Sequence, residues 1–329
     1  MEFGKAQYID HINFSLPPDD PVTELLWERL AALPREPLRV HVGGTEWGRT
    51  SWVGRAYPLG TKPKDFLAWY SRQFNTIELN TLFYGVPATT TIRKWADAVV
   101  PGFTFCPKFP EAISHKLQLS NVSRETAEFI DALGLFDGKL GPAFLLLSDR
   151  FSPGQAGLLQ HYVRQLPTGF AACVELRGQD WFGAPAAAST GSASAGPFGG
   201  SATDGPYAAA IQDTFHEMLD RGVGTVITDV AGRRDVLHMR LTSPVAFIRF
   251  VTNSLHPTDY QRADAWVERL AQWALKGLRE VYIFVHSPEE LTSPEMMKYL
   301  ITRFNERGLA SLPAPNLVNG GQPGNLSLF

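Results

Sequence analysis

Cysteine is scarce. Cys106 and Cys173 are the only two in 329 residues, and neither stands in a CxxC spacing. That excludes a disulfide-built scaffold and a paired-cysteine zinc site, and it leads us to expect a reducing, cytoplasmic setting. Positive charge is not in excess either. Thirty Lys and Arg face 33 Asp and Glu, for a formal net charge of -3. The general basic footprint of a nucleic-acid-binding protein is therefore missing, which leaves only a local basic patch open to such a partner. No apolar run approaches the roughly 20 residues of a membrane span. Residues 1–20 lack a basic segment followed by an apolar one, so no secretory signal is expected there. A soluble protein with no membrane partner follows. HxH and HExxH spacings are absent, and no Gly-rich dinucleotide fingerprint follows the first apolar run.

What the chain does have is apolar material in a regular order. Hydrophobic residues make up 44% of it, enough for a sizeable core. An extended arm (1–20) leads into a helix over 21–33. Eight short apolar runs follow, at 39–43, 76–80, 103–108, 143–147, 171–176, 224–229, 245–250 and 281–286. Segments of helical periodicity separate most of them. Alternating strands and helices imply parallel pairing with both sheet faces covered. Eight such units predict a (β/α)8, TIM-barrel-like fold, with a doubly wound open sheet as the alternative. The expected organisation is an arm and helix over 1–37, a barrel over 38–311 and a loose tail over 312–329. A Gly-, Ala- and Ser-rich stretch, 183–206, is expected to be a flexible insertion after the fifth strand.

The stretch Thr76-Ile77-Glu78-Leu79-Asn80-Thr81-Leu82-Phe83-Tyr84 stands out, because a carboxylate interrupts an apolar strand. Such a group is costly to bury unless it is paired or used. The same thing recurs at other strand ends, with Lys108, Glu175 and Arg177, Asp229, Arg249 and His286. Barrel enzymes carry their chemistry there. Strand alternation puts Glu78 with Asn80, Cys106 with Lys108, and Cys173 with Glu175 and Arg177. These smaller, polar sets are expected to face the barrel mouth, and the bulky apolar sets the helices.

This ring supports several chemistries. Glu78 and Glu175 are candidate acid and base, as in a hydrolase, with Lys108 and Asp229 beside them as further catalytic candidates. Arg177 and Arg249 would hold a polar or anionic small substrate. Asn80, His115 and His286 would contact it, and Trp47, Tyr84 and Trp181 would wall it. No cofactor is expected. A divalent metal among Glu78, Glu175, Asp229 and His286, serving a phosphodiesterase- or nuclease-like reaction, is the second reading. A non-catalytic ligand-binding barrel is the third. A buried ion-pair network is the purely structural account of the same residues. The oligomeric state is left open.

Residues 43–87 (GGTEWGRTSWVGRAYPLGTKPKDFLAWYSRQFNTIELNTLFYGVP), with FTFCPKFPEAISH (103–115), VELRGQDWF (174–182), ITDVAGR (227–233) and FIRF (247–250), resemble the domain of unknown function 72 family, the YecE-like barrels. The resemblance covers about residues 39–305. It implies a (β/α)8-like barrel and supplies no reaction. It places the family's recurrent polar residues on Glu78, Asn80, Tyr84, Lys108, His115, Glu175, Arg177, Trp181, Asp229 and Arg249. The chain departs from the family pattern at Glu46, at Leu146, Ser148 and Asp149, at Gly178, at Val251 and Thr252, and at Val285 and His286. The fringe of the pocket is therefore expected to differ.

Overall fold

Each apolar run becomes a short strand, and each helical stretch covers the strand before it. The protein is described from a computed structural model that covers residues 4, 6, 8–182, 206–288 and 290–318. The strands are β1 (Arg39–Gly44), β2 (Thr76–Leu79), β3 (Thr104–Pro107), β4 (Ala143–Leu146), β5 (Ala172–Glu175), β6 (Gly224–Asp229), β7 (Val245–Val251) and β8 (Glu280–His286). The helices are α1 (Pro21–Ala31), α2 (Phe66–Gln73), α3 (Thr89–Ala98), α4 (Ser123–Leu133), α5 (Ala156–Gln165), α6 (Ala208–Arg221), α7 (Pro257–Lys276) and α8 (Ser293–Glu306). The strands form one sheet in the order β3-β2-β1-β8-β7-β6-β5-β4, paired in parallel throughout.

The two ends of that sheet meet. Parallel bridges join Phe105 to Leu140 and Lys108 to Phe144. The Gly141 N–H donates to Phe105 O at 2.8 Å and the Phe109 N–H to Phe144 O at 3.0 Å. The result is a nearly closed eight-stranded barrel, the TIM-barrel-like fold expected from the sequence.

Alternation along the strands divides the core in two. Cys106, Phe144, Leu146, Cys173, Val226, Phe247, Tyr282 and Phe284 pack together inside the barrel. Their strand neighbours Ile77, Phe105, Leu145, Val174, Ile227, Ile248 and Ile283 join the larger cluster between sheet and helices. The inward set on β2, β3 and β5 is small and polar, as expected. On β4, β7 and β8 it is aromatic, because those rings fill the barrel below the mouth.

The arm and α1 are fastened to the barrel wall. Asp20 caps α1 by accepting from Val22 N–H at 3.1 Å and also pairs with Arg240 at 2.6 Å. Asp19 accepts from the Trp273 indole at 3.0 Å and from Arg269 at 3.0 Å. Residues 312–318, expected to open a loose tail, are also held. Asn316 N–H donates to the Gln73 side chain at 2.7 Å and Val318 N–H to Arg55 O at 2.8 Å. Residues 183–205 and 319–329 lie outside the described residues, and with them most of the expected insertion and the rest of the tail. Among the described residues no helix is long and apolar enough to cross a membrane.

The β1–β2 pairing depends on Gly43, whose register partner is Thr76. A Cβ at Gly43 would lie 2.0 Å from Thr76 O, a backbone atom that cannot swing aside. Gly43→Ala is expected to cost about 3 kcal/mol or prevent folding. The urea midpoint by circular dichroism tests this, and an unchanged midpoint would contradict the close approach.

Candidate functional site

Arg249 lies on β7, two residues beyond Phe247 and on the same inward face, and is 1% exposed. Its guanidinium spans the barrel mouth. Nε and Nη2 donate to both oxygens of Glu78, at 2.9 and 3.1 Å. Nη1 donates to Glu175 Oε2 at 2.8 Å. The remaining lone pairs are largely taken. Asn80 Nδ2 donates to Glu78 Oε1 at 3.0 Å, and His286 Nε2 to Glu78 Oε2 at 3.0 Å. Arg177 Nε and the Thr228 hydroxyl donate to Glu175 Oε1, at 2.8 and 3.1 Å. Five strands thus meet in one hydrogen-bonded clamp of two carboxylates and two guanidiniums.

Burial alone would raise both carboxyls. For Glu175 the guanidiniums of Arg177 and Arg249 outweigh it and bring the group down to about 2. Arg249 and His286 hold Glu78 well below the usual carboxylate range. Arg249 itself is held above its ordinary value, because the two glutamates overcome the cost of burying it. Neither carboxyl carries a proton near neutral pH, and Glu78 has no oxygen turned to solvent. The acid and base expected of Glu78 and Glu175 are therefore not an acid/base pair. They are two anions bound to one cation between them.

Lys108, at the end of β3, was expected near these carboxylates and stands apart from them. Its half-buried ammonium makes no hydrogen bond or ion pair to any described residue. Instead it lies 4.0 Å from the centre of the Phe83 ring. Burial, and then the field of Arg249, bring it down to about 8, against the opposing pull of Glu78 and Glu175. The edge of Phe83 also meets His115, with ring centres 5.1 Å apart. His115 is lowered by burial and then by Lys108 and Arg177, and its Nδ1 pairs with the Ser114 hydroxyl at 2.8 Å.

The loop carrying His115 is unusual. Ala112–Lys116 forms a single π turn, and Gln118, Leu119 and Asn121 follow with φ of 46°, 67° and 54°. Ser254 and Leu255 after β7, and Glu290 after β8, share that left-handed region. Each such residue costs of order 1 kcal/mol. Six of the seven non-glycine cases among the described residues lie in loops at the mouth, the exception being Asp137. Strain of this kind gathers at functional sites.

Other expected site residues fall elsewhere. Asp229 is on the outer face of β6, next to Ile227. It accepts from Arg262 at 3.1 Å, from the Trp266 indole at 2.7 Å and from Arg234. It fastens the strand to α7 and takes no part in the mouth, because the alternation that turns Val226 and Thr228 inward turns it outward. Trp181 is wholly buried, with its indole N–H on Phe151 O at 2.9 Å, so it walls no cavity. Trp47 packs edge-on against Trp95, with centres 5.8 Å apart. Tyr84 is 85% exposed at the rim, against Phe83. The four donors considered for a metal are divided, since Asp229 faces away from the other three. No group of three or more His, Cys, Asp or Glu among the described residues could hold a metal ion.

Two residues escaped sequence reasoning. Phe83 has no assigned role in the sequence reading, although its ring contacts both Lys108 and His115. Glu290, four residues beyond His286, accepts from the Thr45 hydroxyl at 3.1 Å and the Ser293 hydroxyl at 2.5 Å. No cation among the described residues pairs with it, and burial pushes its carboxyl up. Its signal was an acidic loop directly after the last strand.

A nearly closed parallel barrel with an ionic clamp across its mouth defines a (β/α)8 protein with its candidate site at the C-terminal strand ends. The chain belongs to the family described as protein of unknown function DUF72, whose profile matches residues 41–193 and 207–317. It is 26% identical over 279 residues to the UPF0759 protein YecE of Escherichia coli, across 79% of this chain and 91% of that one. Among solved structures, a DUF72 family protein of Enterococcus faecalis matches with a TM-score of 0.54 at 16% identity, over 82% of this chain and 98% of that chain. One from Thermotoga maritima matches at 0.52 and 18% identity, over 80% and 99%. These two likenesses carry the barrel fold.

The clamp makes stability depend on pH. A carboxyl lowered on folding adds stability above its unfolded value, and that stability is lost as pH falls through the folded one. For Glu175 the loss runs from about pH 4.5 to about 2 and amounts to some 3 kcal/mol. Wild-type unfolding free energy is expected to drop across that window. Glu175→Gln is expected to be less stable at pH 7, where it leaves Arg249 short of a partner, and to show a flatter slope. Parallel slopes would refute the assignment. Asp229→Ala is expected to cost about 3–5 kcal/mol while leaving the Lys108 titration midpoint unmoved, as measured on dimethylated lysine by NMR.

Proposed function

We propose that this barrel is an enzyme of acid/base chemistry on a polar or anionic small substrate bound at the mouth, with Lys108 as its proton-exchanging group. The Glu78–Arg249–Glu175 clamp is the fixed floor of that site. One observation carries the reading: an ammonium with no hydrogen-bond or ion-pair partner among the described residues lies within the field of two carboxylates that are bound to guanidiniums. Its value of about 8 lies close to working pH, where a general base or acid is most effective. At pH 7 about one-tenth of such amines are uncharged, against about 0.03% for an unperturbed lysine.

Charge supports an anionic substrate. Glu78 and Glu175 balance Arg249 and Arg177, so a protonated Lys108 leaves its side of the mouth positive. His115 and the strained loop after β3 flank the same space. Phe83 and the exposed Tyr84 give it an apolar side.

A second reading, a barrel that binds its ligand without converting it, is favoured by one feature. Both mouth glutamates are locked by guanidiniums, as expected where a carboxylate's task is purely structural.

Both readings predict that some small carboxylate or phosphate raises the melting temperature, with affinity falling at least 10-fold in Lys108→Ala. The enzyme reading adds that the bound compound is recovered altered, and that turnover rises with pH through about 8 as the amine loses its proton. A compound recovered unchanged selects the binding reading. Unchanged binding and turnover in Lys108→Ala would remove both.

A further inference from the structure

Lys108 is more than a proton carrier in its surroundings. The amine sits at a strand end, half-buried, with an aromatic face on one side. Each carboxylate that could have neutralised it is turned to a guanidinium instead. A half-buried lysine beside cations, with its lone pair free in an appreciable fraction of molecules, is suited to attack a carbonyl. We propose that Lys108 forms a Schiff base with small oxo acids, compounds that carry a carbonyl beside a carboxylate. This inference rests on the mouth being the substrate site and names the substrate class.

The carboxylate requirement follows from charge. The amine lone pair forms the N–C bond, and the carbonyl π pair moves to oxygen, which takes a proton. The nitrogen, now a cation, gives up one of its protons and regains a lone pair. The hydroxyl then leaves as water with a second proton as that lone pair closes the C=N bond. In sum, amine, carbonyl and one proton give an iminium cation and one water. No oxidant or reductant is needed.

The iminium is positive and permanent until hydrolysed. Glu78 and Glu175 cannot turn to it without abandoning Arg249 inside a dry barrel, which would leave that guanidinium buried and unpaired. The counter-anion must come with the substrate, and a carboxylate one atom from the reacting carbon supplies it. His115, on the Phe83 side of the amine, is placed to relay the proton that leaves with the hydroxyl. A neutral ketone brings no such charge and is disfavoured by the same argument.

The test is reductive trapping on the full-length protein. Pyruvate or 2-oxoglutarate is added with sodium borohydride at pH 7.5, followed by intact mass and peptide mapping. Acetone and lactate serve as the neutral carbonyl and the non-carbonyl acid. The expected result is one stable adduct of the mass of the reduced imine on the peptide containing Lys108. It should form at least about 10-fold faster than adducts on other lysines, be absent in Lys108→Arg, and be much weaker with acetone. Adducts spread over surface lysines, or equal labelling by acetone, overturn the proposal.

Protection of Lys108 from reductive methylation is read in parallel. If lactate protects Lys108 and no oxo acid is trapped, the covalent step is wrong and the substrate site at the mouth stands. If no acid is trapped and none protects, both fall. Lys108→Arg retains a cation at the position, and circular dichroism establishes that the variant is folded.

Discussion

The guanidinium of Arg249 is the one interaction on which the barrel mouth depends. It is buried, and it holds two carboxylates contributed by strands on either side of it. Each of these charges alone would be prohibitive inside a barrel. Together they form a neutral, hydrogen-bonded plate, once Arg177 is counted against Glu175. Losing either carboxylate leaves the buried guanidinium short of a partner. The aromatic interior below the plate, with Phe144, Phe247, Tyr282 and Phe284, offers no substitute.

That plate also sets the electrostatics above it. Because Glu78 and Glu175 are saturated, they act on Lys108 only at a distance, and burial together with Arg249 prevails. The same guanidinium therefore keeps two acids ionised and helps an amine to give up its proton. One positive charge thus lowers all three groups, leaving the acids charged and the amine easier to neutralise. Glu290, held by hydroxyls alone with no guanidinium among the described residues beside it, is raised by burial instead.

The barrel was legible in the sequence because hydrophobic period and element spacing are local signals. Every strand was found to within a residue or two. The polar strand ends were legible for the same reason, since Glu78, Lys108, Glu175 and Arg249 each break an apolar run. The pairing among them was not. Whether Glu78 meets Lys108, Glu175 or Arg249 depends on how far strands tilt and which long side chain reaches across, and nothing local encodes that. Asp229 shows the limit clearly. It ends its strand just as Glu78 does, but a one-residue difference in alternation turns it to α7, where Arg262 and Trp266 wait. Trp181 failed similarly, because an aromatic in a loop packs as readily under the rim as over it.

The barrel is a strip whose ends meet at β3 and β4, joined there by isolated bridges where every other neighbouring pair shares a ladder. One of those bridges is at Lys108 itself. The least-bonded joint of the ring and the ammonium at its mouth thus share a residue. Were the cylinder to loosen at that joint, the amine would move with it relative to the field of Arg249. The basicity of Lys108 is in this sense a gauge of how tightly the cylinder is shut.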